Sequence, residues 1–201
     1  MRTFRIHLIR HGATDANVLG QYIGSRTDSP LSPEGLRELK NLKENLEYPY
    51  IEKLYSSPML RCKQTAGVLY PGMDVTTLDE LTEYDFGLFD GKTASELEID
   101  PNFIEWTSGK LTAPPEGEDN MDFIKRICLG LHKIVLDMSE NEIYEAGVIM
   151  HGGAIMTLLA STAVPRKTAL EWTTDNGRGY TLLITPSLYF SQGVTEVYDI
   201  I

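Results

Sequence analysis

Runs of β-branched and aliphatic residues alternate along this chain with stretches of helical period, and two of the runs end in a histidine followed by glycine, at Arg10-His11-Gly12 and His151-Gly152-Gly153. That alternation is the pattern of βαβ units with a largely parallel sheet. At 201 residues the chain is about one domain, long enough to bury a core and enclose a site without disulfides or metal. It has no internal repeat and no linker long enough to divide it.

The strand-like runs are residues 4–9, 52–56, 74–78, 146–150, 179–185 and 194–200, the last two separated by a turn at Pro186. Ser32-Pro33-Glu34 supplies an N-cap, a proline for the first helical position and an acid for the first turn, and Leu36, Leu39, Leu42 and Leu46 follow on one face. Pro58 opens a helix to about Leu69, Thr93 with Glu96 forms a capping box, and residues 119–138 carry apolar residues at helical spacing. Between them, residues 81–91 (LTEYDFGLFDG) mix acids, aromatics and glycine without a period, which reads as a functional loop.

Lys and Arg number 18 against 29 Asp and Glu, a formal charge of −11, and a surface of that sign repels nucleic acid and anionic lipid. Cys62 and Cys128 lie far apart, outside any Cys/His cluster, so a disulfide scaffold and structural zinc are poor readings and both are expected to be inert. Charges at Arg2, Arg5 and Arg10 break the N-terminal apolar run, and the longest apolar stretch, 147–160, is too short to span a bilayer. The expectation is a cytoplasmic protein with no nucleic-acid or membrane partner.

In an open α/β sheet, ligands bind beyond the carboxyl ends of the strands, so histidines ending neighbouring strands meet there. Each is followed by glycine, which lets a backbone N–H approach an anion, Gly152 among them. Arg10 and Arg61, the latter in the first turn after the second strand, add positive charge in an otherwise acidic chain. Two arginines and two histidines together suit a phosphate monoester. With no gathered carboxylate set, the expectation is phosphoryl transfer without metal or cofactor. One histidine is then the nucleophile, neutral on its attacking nitrogen, and a general acid must protonate the leaving alkoxide. Glu83, among Tyr84, Phe86 and Phe89, is the carboxyl best placed for desolvation, with Glu80, Asp85 and Asp90 as neighbours able to take that role. His7 and His132 read as structural.

Leu8-Ile9-Arg10-His11-Gly12, Tyr55-Ser56-Ser57-Pro58 with Arg61, Gln64, Thr65 and Ala66, the 81–91 loop and residues 148–152 together resemble the histidine phosphatase superfamily, in its phosphoglycerate-mutase-like branch. The resemblance covers nearly the whole chain, in order. It implies a three-layer α/β/α domain over 1–201, with a mostly parallel central sheet and a helical specificity insertion within about 92–145 over the C-terminal strand ends. It also implies a phosphohistidine on His11, stabilisation of the phosphoryl group by Arg10, Arg61 and His151, and Glu83 as proton donor. Asn17 matches a residue lining the phosphate pocket, and Ile23-Gly24 matches a stretch bordering the substrate, as Tyr84 and Gly152 are also expected to do.

Tyr84 stands where mutases of the family usually carry arginine, and the stretch between Gly91 and His151 is shorter than a typical mutase's. Both departures favour a metal-independent phosphomonoesterase acting on a small phosphorylated metabolite. Ala13 stands where many members have glutamate, outside the catalytic set. Gln21-Tyr22-Ile23-Gly24 leading to Asp28-Ser29-Pro30-Leu31 resembles the α-ribazole phosphatases, a stretch that phosphatases of other specificity share. The rivals are a cofactor-dependent phosphoglycerate mutase and a non-catalytic module that binds a phosphate ligand.

Overall fold

A computed structural model describes residues 3–201. In chain order the elements are β1 (Phe4–Arg10), α1 (Asp15–Val18), α2 (Pro33–Asn45), β2 (Lys53–Ser56), α3 (Leu60–Leu69), β3 (Val75–Thr77), α4 (Ala94–Leu97), α5 (Pro101–Thr107), α6 (Asn120–Glu140), β4 (Glu145–Met150), α7 (Gly152–Thr162), β5 (Ala163–Val164), β6 (Gly179–Ile184), α8 (Pro186–Gln192) and β7 (Thr195–Ile200). Short 3-10 turns lie at Asp79–Leu81, Gly87–Phe89 and Ala169–Trp172.

The strands form one sheet in the order β3-β2-β4-β1-β6-β7-β5. β1 pairs in parallel with β4, β4 with β2, and β2 with β3, while β6 runs antiparallel to both β1 and β7. Alternation along the strands sends side chains to opposite faces. Phe4, Ile6, Leu8, Val148 and Met150 join α6 and α7 through Ile127, Leu131, Ile134, Ile155 and Leu158. Ile9, Leu54 and Ile149 face Leu39, Cys62, Ala66 and Leu69 of α2 and α3 on the other side. A largely parallel sheet buried on both faces makes three layers, as the sequence pattern requires.

The helices start where their caps direct. Ser32 Oγ accepts from Gly35 N at 2.9 Å with Pro33 at the first position of α2, and Thr93 and Glu96 form the reciprocal box of α4. α3 begins at Leu60, two residues beyond Pro58. The turn expected at Pro186 is instead the helix α8: proline suits a first helical position as well as a turn, and burial of Tyr189 supplies the packing that selects the helix. Asp100, which accepts from Asn102 N and Phe103 N with Pro101 at the first position, likewise starts α5, which the periodicity of the sequence does not disclose.

Candidate active site

Parallel pairing of β1, β4 and β2 brings three strand ends side by side, at Arg10, Met150 and Ser56, and the next residues are His11, His151 and Ser57. The pairing continues one step past the strands, since His11 N donates to Met150 O at 3.0 Å and Ser57 N to Ile149 O at 2.9 Å. The two imidazoles therefore meet edge to face, ring centres 5.2 Å apart, and both are buried.

His11 Nδ1 lies 2.7 Å from Gly12 O, and only the Nδ1–H tautomer makes that a hydrogen bond. Nε2 keeps its lone pair. Burial, then Arg61 and Arg10, lower the His11 pKa to about 3 against the pull of the Gly12 bond, so the ring is neutral at physiological pH. His151 accepts from Arg61 Nε at Nδ1, 3.3 Å, and donates from Nε2 to Ser57 Oγ, 2.8 Å, which fixes the opposite tautomer. Burial, His11 and Arg61 push it well below the ordinary histidine value as well.

Arg61, fully buried in the first turn of α3, also donates to Thr27 O at 3.0 Å and Gly24 O at 3.3 Å. Arg10 donates from Nη1 to Thr174 O at 2.7 Å, while its buried Nε has no partner. The Cα of Gly152 passes so close that an added Cβ would stand 3.1 Å from that Nε. An unpaired buried guanidinium N–H is costly, and an anionic oxygen is the acceptor that satisfies it.

Glu83 follows the 3-10 turn at Asp79–Leu81 and is buried, with Oε1 accepting from Tyr84 N at 2.9 Å and Oε2 from Gly153 N at 3.0 Å. Desolvation raises its pKa, outweighing those two bonds and the nearby Arg61 and Arg10. The fit requires glycine at 153, where an added Cβ would be 2.7 Å from Oε1. Arg126 of α6 anchors the acid's loop, donating to Glu80 O, Thr82 O and Glu83 O while forked onto Glu118.

Arg10, His11, Arg61, Glu83 and His151 are thus gathered at the strand ends. Gly24 is pressed against the acid's loop, where a Cβ would sit 2.1 Å from Tyr84 O. Its neighbour Ile23 is half-buried. Tyr84 is buried with its hydroxyl turned away, toward Glu118 O at 2.6 Å and Asn120 Oδ1 at 2.8 Å. Asn17 spends its side-chain oxygen on the capping box with Thr14 at the start of α1 and, among the described residues, makes no hydrogen bond to an arginine or histidine.

Ser57, Asp90 and Asn176 have roles that the sequence does not disclose. Ser57 sets the His151 tautomer, and its place right after a strand was the available signal. Asp90 accepts from Gly24 N at 2.6 Å and from Thr27 Oγ1, clamping the two residues whose carbonyls hold Arg61. Asn176 Nδ2 donates to His11 O at 2.8 Å from a loop that carries no sequence signal for it. Cys62 lies with Sγ 3.5 Å from His151 Nε2, and burial pushes its thiol pKa far up, so it stays protonated.

Fold and site together define a protein that gathers a neutral strand-end histidine, a second histidine, two arginines and a desolvated carboxyl at the ends of its parallel strands. The chain belongs to the histidine phosphatase superfamily (branch 1), whose sequence profile matches residues 6–189. It is similar to the adenosylcobalamin/α-ribazole phosphatase of Salmonella typhimurium, 31% identical over 128 residues, an alignment spanning 61% of this chain and 63% of that protein. Among solved structures, the α-ribazole phosphatase of Shigella flexneri superposes with a TM-score of 0.76 over 98% of this chain and 96% of its own, at 23% identity. A phosphoglycerate mutase of Bacillus anthracis does so with a TM-score of 0.75 over 98% and 92%, at 21% identity. A phosphatase and a mutase share this fold, so the fold alone does not separate the two activities.

Proposed function

We propose that the chain is a phosphomonoesterase working through a phosphohistidine on His11, with Arg10, Arg61 and His151 holding the phosphoryl group and Glu83 as acid and base. The observation that carries this is the state of His11: neutral, its Nδ1–H committed to Gly12 O, and Nε2 left as a lone pair beside two guanidinium groups. In the first half-reaction Nε2 attacks phosphorus, the P–O ester bond breaks, and protonated Glu83 delivers its proton to the departing alkoxide. In the second, Glu83 takes a proton from water, the water oxygen attacks phosphorus, and the P–N bond breaks to release phosphate. Both arginines offset charge on the equatorial oxygens throughout, Arg10 through its otherwise unpaired Nε.

Asn17, Ile23, Gly24, Tyr84 and Gly152 border the substrate in this reading. The chain is one domain, with specificity set by the loops above the strand ends and by the segment within about 92–145. A cytoplasmic small phosphorylated metabolite is the substrate class, and the names of the Salmonella and Shigella proteins point to α-ribazole 5′-phosphate as the first compound to test. Among the described residues no helix is long and apolar enough to cross a membrane.

The rival with a specific structural claim is the mutase. Tyr84, whose hydroxyl is spent on Glu118 and Asn120, brings no cation to the position after the acid, which favours hydrolysis over retention of a second phosphate. Phosphate release from α-ribazole 5′-phosphate, p-nitrophenyl phosphate, phosphoserine and 3-phosphoglycerate, with chelator throughout, tests the reading. Metal-free release supports it. Interconversion of 2- and 3-phosphoglycerate on addition of a bisphosphate, without net release, replaces it with the mutase, and binding without turnover replaces it with the non-catalytic module.

A further inference from the structure

The proton donor of a phosphomonoesterase stands on the leaving-group side of phosphorus, so whatever adjoins Glu83 receives the alcohol. A cavity of about 400 Å³ adjoins it, reaching Gly153, whose N–H holds the Glu83 carboxylate at 3.0 Å. Its walls are Tyr22, Tyr84, Phe86, Trp106, Phe123 and Met156. The volume suits a drug-sized or nucleoside-sized group.

Two polar ends of that wall point elsewhere. Tyr84 Oη is taken by Glu118 O and Asn120 Oδ1, and Trp106 Nε1 donates to the same Asn120 oxygen at 3.3 Å. Ring and thioether surface makes up most of what faces the space, with Thr107, Asn120, Thr157 and the Tyr22 hydroxyl as its polar minority. Tyr84 and Trp106 lie nearly parallel, centres 5.8 Å apart and 20° between planes, while Phe86 meets Trp106 edge-on at 89°. At the mouth Leu170 is 77% exposed, an apolar side chain with most of its surface uncovered. A polyol entering this space would leave most of its hydroxyls without partners, whereas a flat ring would meet faces and edges.

We infer that this cavity is the leaving-group subsite and that it takes phosphate monoesters whose alcohol carries a planar aromatic group, in preference to sugar or glycerol phosphates. The inference rests on the phosphatase reading and specifies its substrate class.

The test compares kcat/KM for 2-naphthylmethyl, benzyl and ethyl phosphate and glycerol 3-phosphate, all esters of primary alcohols, so the chemistry of the leaving oxygen is closely matched. The 2-naphthylmethyl ester is expected to exceed the ethyl ester by at least about tenfold, the scale of discrimination an apolar pocket gives. Trp106→Ala should collapse that ratio toward one. Equal kcat/KM across the series, with phosphate released from all, overturns the subsite and leaves the phosphatase standing. Release from none refutes the phosphatase instead, and the subsite is then judged by binding of 2-naphthylmethylphosphonate. Saturable quenching of Trp106 fluorescence, lost in Trp106→Leu, upholds an aromatic site, and absence of quenching overturns it.

Discussion

Gly153→Ala perturbs the proton donor without touching its carboxyl chemically. The new Cβ would stand 2.7 Å from Glu83 Oε1 and 3.2 Å from its Cδ, about 0.7 Å short of ordinary contact with the oxygen. Helix α7 starts at Gly152 with its backbone packed between sheet and α6, and alanine is a better helix former there than glycine, so the carboxyl is the part that yields. Displacement lengthens the 3.0 Å bond from Gly153 N and moves the donor off the ester oxygen. Misplacement approaching 1 Å costs about 10²-fold in rate, within the 10²- to 10⁴-fold that general acid catalysis supplies. We therefore expect kcat/KM for benzyl phosphate, which reports the first half-reaction and not the later hydrolysis that Glu83 also serves as base, to fall about 10²-fold. Dinitrophenyl phosphate, whose phenolate leaves without a proton, should lose only a few-fold. The assay is stopped-time phosphate release from both esters, with a thermal melt to show that the variant is folded. Equal losses on both esters, or no loss on benzyl phosphate, would refute the assignment of Glu83 as the acid.

Acid should weaken the fold. His7, His11 and His151 are held neutral by burial, with native pKa values below the unfolded value near 6.5, so the unfolded chain binds more protons as pH falls below that point. Stability present above pH 6.5 is lost on acidification; His11, whose native value lies near 3, accounts for about 2 kcal/mol by pH 5, and the other two histidines add in the same direction. Glu83 acts in the opposite sense, since its raised native pKa favours the protonated form that low pH supplies. Urea midpoints at pH 7 and pH 5 should differ, the difference should shrink in His11→Asn, and a midpoint indifferent to pH would contradict the burial of neutral rings. Asp90→Ala removes both bonds that hold Gly24 and Thr27 in place for Arg61, and charge-assisted bonds of that kind predict a loss of about 10- to 100-fold in kcat/KM. Partial recovery in Asp90→Asn, which keeps one acceptor oxygen, marks a positioning role; an unchanged kcat/KM in Asp90→Ala would exclude it.

The parts of the site on strand ends were legible because local pattern and topology agree. Arg10, His11 and His151 each close an apolar run, and a parallel sheet has one way to bring such ends together. Glu83 was harder to single out, because Glu80, Asp85 and Asp90 share its loop; only the fold shows Glu80 paired with Lys133, Asp85 with Arg26, and Asp90 clamping Gly24. Asp90, Asn176 and the Trp106 wall depend on contacts between segments far apart in sequence, for which no local period exists. α8 shows the same limit from the other side: Pro186 permits a turn or a helix, and the burial of Tyr189 decides. Asn17 shows a polar residue whose nearest use is local, capping α1.

The central claim is a covalent phosphoryl group on His11 Nε2, and the direct measurement is to quench the enzyme within milliseconds of mixing with labelled substrate and map the label by mass spectrometry under alkaline conditions. The account predicts one phosphate, stable in alkali and lost in acid, on the peptide carrying His11, and none in His11→Ala, which should remain folded and inactive. Turnover with no trapped phosphoprotein in wild type together with sustained activity in His11→Ala, or a label on any other side chain, would contradict it.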